Sequence, residues 1–578
     1  MNSRHARFGR VLFASIALLA VAFGPISSTA AAPKQGPLGN FKHIVVIYEE
    51  NHSFDNLYGN WGTVGGQHVV GRSDADPDHT IQIDQSGDPY ACLLMSDVNL
   101  MSPPLSPDCS TSTFSFGTNR PTTAFHFSNA PYNIDQFIPA TAATCPDRDH
   151  QFSFAFGILD GDANGHSGGC TRDLVHRFYQ EQYQLDGGAM NRYVTGSDSV
   201  GMTMGYYDTT QLPIYQYLHA NGAPNYVIAD HFFQAAFGGS YLNHQYLVAA
   251  AAPRFPAGRH SVLDTNGFPT AYPLYTPTRT PVVNGEVTQL CGQPTTVVGL
   301  ACGDYSVNTL VPWYQPTAAF APKLPVIDDT ATPMTIGDTL SDAGVSWAWY
   351  AGGWDNAAGN RTGRGWTNGT GTTCADPNSA PAPADGAGNP GGWPYCPDKS
   401  FQQHHQPLAY YARYIPGAPG RSHLQDEQDF LHAVKAGALP QVSFVKPNGV
   451  ENEHPGYASE PNGGNHLIDL IQAIETGPQA GNTLIVVTYD EFGGQWDHVP
   501  PPGMGATAGF HDLFGPGTRI PAILIGRSLT RSAVDHTVYD TTSIMKTLEV
   551  QFGLGPIATR DAHVADLGPA IAAGRRRP

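Results

Sequence analysis

Lys42–Tyr48 reads KHIVVIY and runs directly into Glu49-Glu50-Asn51-His52-Ser53-Phe54-Asp55. A short continuous run rich in β-branched residues suits a strand buried on both faces of a parallel sheet. Similar runs recur at Tyr226–Ala229, Val442–Val445, Leu484–Tyr489 and Pro521–Ile525. Between them lie stretches with apolar residues at helical spacing. His466–Ile474 is one; Thr541–Phe552 is another, with Thr541 or Thr542 as its expected N-cap. Strands alternating with helices predict an α/β fold with a mostly parallel central sheet flanked by helices.

From about 254 to 400 the texture changes to Gly, Pro, Thr and Asn, with four cysteines. This stretch is expected to form large insertions, a cap lobe on the α/β core. Residues 33–578 are read as one such domain. The chain has 578 residues, 41% of them hydrophobic and 14% charged, which is enough apolar material for a sizeable core and too little charge for a disordered chain. A net charge of −19 argues against a nucleic-acid partner, which requires a basic face.

Residues 1–32 read as a secretory signal. Arg4, Arg7 and Arg10 precede the apolar run Val11–Phe23, and Ser28-Thr29-Ala30 offers small residues for cleavage. The run is shorter than the roughly 20 residues a membrane span needs. Export to the periplasm or the medium is therefore expected, with no transmembrane segment in the mature chain. All 8 cysteines follow the signal, and sequence neighbours suggest the pairs 92–109, 145–170, 291–302 and 374–396.

Ligands in open α/β sheets bind at the carboxyl ends of strands. Two predicted strands end in adjacent oxygen donors: Glu50 and Asn51 after the first, Asp490 and Glu491 after LIVVTY. If those ends converge, three carboxylates and an amide form a hard site for one divalent cation. The plainer alternative is two solvated acidic loops or helix caps. A third feature is Phe237-Gly238-Gly239-Ser240, opening an apolar helix. A serine there has N–H groups and the helix dipole facing an anion, which suits a nucleophile attacking phosphorus; it equally suits an ordinary N-cap. The chain also holds 23 histidines, several in polar, Gly-rich settings: His176, His404, His405, His454, His466 and His498. Histidines can protonate a leaving oxygen or bind phosphoryl oxygens.

Six segments taken together resemble a family of secreted bacterial phosphoesterases, the acid phosphatases and phosphatidylcholine-type phospholipases C. They are HIVVIYEENHSFDNLYG, DLVHRFYQEQYQLDGGAMNRYV, FGGSYLNHQYLVAAAAP, VENEHPGYASEPNGGNHLIDLIQAIE, TYDEFGGQWDHVPPP and RIPAILIGRSLTRSAVDHTVYDTTSIMKTLE, which occur in this order between about 42 and 555. The resemblance implies an alkaline-phosphatase-like fold. It places a metal on Glu50, Asn51, Asp490 and Glu491, and a hydroxyl nucleophile on Ser240. Its histidines fall on His176 (or His150), on one of His404 and His405, and on His454; of these, His454 is expected to protonate the leaving oxygen.

The GGSYLNHQ form resembles the acid phosphatase branch, which implies phosphate monoesters as substrates and a phosphoserine intermediate. His52, Ala189 and Asn191 depart from the family's pattern at the rim and bear on substrate preference. A phospholipase C acting on choline lipids is the alternative; Trp347, Trp349, Tyr350 and Trp354 are its candidate aromatic cage. Outside these, a non-catalytic calcium-binding protein or a serine esterase would use the same loops differently.

Overall fold

The computed structural model describes residues 36, 38–94, 113–116, 120–123, 126–136, 173–197, 200–255, 282–283, 286–289, 303–306, 311–312, 323–324, 327, 335–367, 401–455 and 458–575. The signal segment 1–32 and His150 lie outside them. Cys92, buried and disulfide-bonded, is the one cysteine among the described residues, so the expected pairings lie outside as well.

The central element is a sheet of eight strands. In chain order they are β1 (His43–Glu49), β2 (Tyr226–Ala229), β3 (Trp347–Ala351), β4 (Leu424–Asp426), β5 (Val442–Lys446), β6 (Thr483–Tyr489), β7 (Ala522–Ile525) and β8 (Ala533–Asp535). Their order across the sheet is β4-β3-β5-β1-β6-β7-β2-β8. Only β7 runs antiparallel to its neighbours. The fold class expected from the sequence is the one observed: α/β with a mostly parallel central sheet. β1 sits mid-sheet between β5 and β6, which explains why KHIVVIY is apolar throughout; from Ile44 onward every residue of the strand is buried. Each buried Val or Ile there contributes about 1.5–3 kcal/mol.

Five helices matter for the site: α1 (Phe178–Leu185), α2 (Ser240–Ala249), α3 (Glu427–Ala436), α4 (Glu460–Thr476) and α5 (Thr542–Phe552). α2 packs on α5, and α3 on α4. The expected helices 466–474 and 541–552 fall within α4 and α5. Thr541 does not cap α5 with its side chain; its hydroxyl instead accepts the Ala235 N–H at 3.2 Å.

One expectation needs correction. The stretch 254–400 is not insertion throughout, because β3 lies within it and is a strand of the central sheet. The candidate choline cage goes with it. Trp347, Trp349 and Tyr350 are buried residues of β3, and Trp349 stacks on Phe444 at 5.2 Å. Trp354 is buried too, its indole N–H donating to the Leu424 carbonyl. These rings are core packing. No helix among the described residues is long and apolar enough to cross a membrane.

Candidate active site

Parallel pairing fixes which carboxylates meet. β1 and β6 pair in register from His43↔Thr483 to Glu49↔Tyr489, so Glu50-Asn51 and Asp490-Glu491 leave adjacent strands at the same level. All four are fully buried. Asn51 adopts φ 61°, a left-handed conformation that Asn tolerates better than most residues. Its N–H donates to Asp490 Oδ1 at 3.1 Å, and the Glu491 N–H donates to the same oxygen at 2.8 Å.

The loop after β6 reaches the Asn51 loop only because it carries glycine. Gly493 has φ +62°, and a Cβ there would sit 2.1 Å from the Asn51 carbonyl oxygen. Gly238, at φ +87°, plays the matching part before α2: a Cβ would lie 2.5 Å from Phe178 N. That close approach brings the segment before α1 beside Ser240. Glu181 of α1 holds the arrangement, accepting from Gly238 N–H (2.5 Å), Gln234 Nε2 (2.9 Å) and Thr518 N–H (2.7 Å).

Ser240 is the first residue of α2, with Gly239 as N-cap. The residue is 4% exposed, and its hydroxyl lies 3.4 Å from both Glu50 Oε2 and Glu491 Oε1. His176 Nε2 is 3.4 Å from Glu491 Oε1 and 3.5 Å from Asn51 Nδ2, while its Nδ1 sits 2.6 Å from the Leu174 carbonyl oxygen. His405 Nε2 is 2.7 Å from Glu50 Oε1, and His454 Nε2 is 3.8 Å from Glu50 Oε2. His404 also borders the site, its ring 4.9 Å from that of His405. Glu50, Asn51, His176, Ser240, His405, His454, Asp490 and Glu491 therefore lie together, whereas His498 pairs with Asp55 and His466 with Glu427 outside this group.

Two further residues enter that sequence reasoning passed over. Lys446, the last residue of β5, places Nζ 2.5 Å from Glu50 Oε1 and donates to the Glu49 carbonyl at 3.0 Å. A lysine ending a strand carries no sequence signal that sets it apart from a solvated one. His244 lies one helical turn after Ser240, so spacing alone put it on the same face. Its Nδ1 is 2.7 Å from the Ser240 carbonyl oxygen, and its ring stacks on His405 at 5.6 Å.

The electrostatics divide the carboxylates. Burial alone would push the Glu50 carboxyl up, but Lys446 and His405 outweigh it and hold it well below the usual range. Burial raises Asp490, with Glu50 adding to it, and raises Glu491, with Asp490 adding. Asn51 Oδ1, Asp490 Oδ2 and His244 Nε2 are buried without a hydrogen-bond partner. Crowded carboxylates with unsatisfied oxygens aimed inward are the donor set a hard dication takes, so the residues fit a metal. Glu50, His244 and Asp490 could share one ion, as could Glu50, His404 and His405.

Comparison with known proteins bears on the family of the chain. Phospholipase C A and phospholipase C B of Mycobacterium tuberculosis are 23% and 24% identical over 571 and 578 residues. Each alignment covers 94% of this chain and 79% or 80% of the relative. A non-hemolytic phospholipase C from Pseudomonas aeruginosa is 30% identical over 146 residues, 21% of either chain. Among solved structures, a protein in the alkaline phosphatase superfamily from Vibrio parahaemolyticus overlays with a TM-score of 0.21 at 13% identity, over 40% of this chain and 50% of that one. A TM-score that low carries no argument, and the fold stands on the sheet itself. The model of the Phosphoesterase family matches residues 41–555, nearly the whole described body, and the chain belongs to that family of hydrolases acting on phosphoric ester bonds.

Proposed function

We propose that this hydrolase is an exported, metal-dependent phosphatase of acid phosphatase type, which cleaves phosphate monoesters through a phosphoserine on Ser240. The observation that carries the reading is the position of Ser240 Oγ, 3.4 Å from one carboxylate of each of the two strand ends.

Glu50, Asn51, Asp490 and Glu491 would hold the divalent cation. When bound, such an ion supplies positive charge toward the phosphoryl oxygens and lowers the pKa of a nearby hydroxyl. The chain's own residues do the rest. The glycines before α2 and the Glu181 carboxylate fix the serine's approach. The Ser240 proton has two carboxylate oxygens within 3.4 Å to leave to. Ser240 Oγ bonds to phosphorus as the ester P–O bond breaks. His454, its Nδ1 2.7 Å from the Pro455 carbonyl oxygen, presents Nε2 to protonate the departing alkoxide. His176 and His405 donate to the phosphoryl oxygens. Water then attacks the phosphoserine and gives a proton to His454; the Oγ–P bond breaks, the carboxylate returns its proton to Ser240 Oγ, and phosphate is released.

Phospholipase C activity is the second reading, favoured by the names of relatives aligned over 94% of the chain. Against it stand the buried tryptophans of β3, which leave the expected trimethylammonium cage filled by core contacts. A panel of p-nitrophenyl phosphate and phosphatidylcholine, with and without chelator, tests both. Phosphate release that chelation abolishes, together with acid-stable phosphate trapped on Ser240, supports the phosphatase. Phosphocholine release at a higher kcat/KM selects the phospholipase. Normal turnover in Ser240→Ala overturns the nucleophile assignment. Export is tested by sequencing the N-terminus of protein recovered outside the cytoplasm.

A further inference from the structure

Glu49 and Glu50 are neighbours in sequence but serve opposite faces of the sheet. Tyr48 faces α2, its hydroxyl 3.5 Å from the Asn243 carbonyl. Side chains alternate along a strand, so Glu49 points away from α2. Its register partner Tyr489 shares that second face, hydrogen-bonded to Glu453 and packed against His52 at 5.9 Å.

Glu49 is fully buried there, and neither of its carboxylate oxygens has a hydrogen-bond partner. Glu427 and His466 act on its charge, and with Glu451 they form a group from three separate elements: Glu427 opening α3, Glu451 in the loop after β5, and His466 on α4. His466 Nε2 is 3.0 Å from Glu427 Oε1 and 3.9 Å from Glu451 Oε2, and the three donor atoms lie within 4.8 Å of one another. Two ligands of a tetrahedral ion with bonds of about 2.0–2.2 Å are separated by about 3.4 Å, between those two distances. The second oxygen of Glu427 has no hydrogen-bond partner either. The Glu427 side chain is 3% exposed and that of Glu451 43%, so the group is buried at one end and open to solvent at the other.

The geometry points to a second dication site, formed by Glu427, Glu451 and His466, separate from the Ser240 centre. One imidazole among carboxylates selects a borderline ion such as Zn²⁺ or Mn²⁺ over Ca²⁺. The charges converge as the site requires. Burial would lower the His466 pKa, but Glu427, Glu451 and Glu49 outweigh it and raise it to about 9.

The test uses the full chain, stripped with chelator, reloaded with excess Zn²⁺ and desalted, with metal counted per chain by mass spectrometry. Two ions in the wild type and one in the His466→Ala/Glu451→Gln variant support the site, provided that variant keeps p-nitrophenyl phosphate turnover within about twofold. A Zn²⁺-induced rise in Tm that shrinks in the same variant adds support. Equal metal content in wild type and variant overturns it. Glu50→Gln separates the two centres: one ion that survives Glu50→Gln but not His466→Ala/Glu451→Gln keeps this site and removes the metal from the Ser240 centre. The reverse outcome overturns the present inference and leaves the phosphatase reading intact.

Discussion

Glu50 and Glu49, the two acids at the end of β1, are both buried, yet the surroundings treat their charges differently. On the α2 side, Glu50 is matched by Lys446 and by histidines, and its carboxyl is held ionised. On the α4 side, burial and Glu453 push the Glu49 carboxyl well up. Glu453 and Glu460 are raised by burial as well, and His466 is the cationic partner of Glu427. Charge kept in place by fixed cations is available for chemistry; charge suppressed by burial waits for a proton or an ion. The difference teaches that one residue of strand alternation separates a reactive surface from a storage place for acids.

Substitutions at the two neighbours sharpen this contrast most. Glu50→Gln is expected to lower kcat on p-nitrophenyl phosphate by about 10³-fold or more, as loss of a central electrostatic group does. Glu49→Gln is expected to leave kcat within about threefold; equal losses in the two variants would dissolve the distinction. Next comes Lys446→Met, which leaves Glu50 buried without its nearest cation. Removing one partner of a buried pair costs about 3–5 kcal/mol. A clear drop in unfolding free energy by denaturant titration is expected, with Lys446→Arg recovering part of it. Gly493→Ala follows. Its Cβ would collide with the Asn51 carbonyl at a positive φ, so a loss of about 2–3 kcal/mol and of activity is expected. An unchanged Tm would show that the two loops are not locked.

The smallest effect concerns Glu549 on α5, which belongs to neither acid group. Burial pushes the Glu549 carboxyl up to about 8, with Asp561 beside it adding to the shift. A carboxyl raised in the folded state gives stability that is full below its unfolded pKa of 4.5 and is lost as pH rises toward 8. Glu549→Gln is therefore expected to raise Tm by a few degrees at pH 7.5 and by nothing measurable at pH 4.5. An equal gain at both values would point to packing instead of charge.

Much of the sheet was legible because its middle strands are buried on both faces and read as unbroken apolar runs. β4 and β8 were not, since LQD and AVD are too short to show a period. β3 escaped for another reason: WAWYA is embedded in a Gly- and Pro-rich stretch whose texture reads as loop. In the site, the acids and Ser240 stood out because each ends a strand or opens a helix. The left-handed turn at Asn51 carries no sequence signal of its own, and a lysine ending a strand looks like any solvated lysine until Glu50 is found 2.5 Å away.

Arg519 shows what such locking implies for variation along the chain. Fully buried, it donates to Asp55 and Asp497 and to the carbonyls of Val70 and Asp230, joining four separate segments. Two of those segments follow directly from the Glu50 and Asp490 turns. Outlying loops can therefore lengthen, shorten or diverge in descendants of this sequence without moving the paired turns, because strand register sets the spacing of the turns and one guanidinium clamps the segments that follow them.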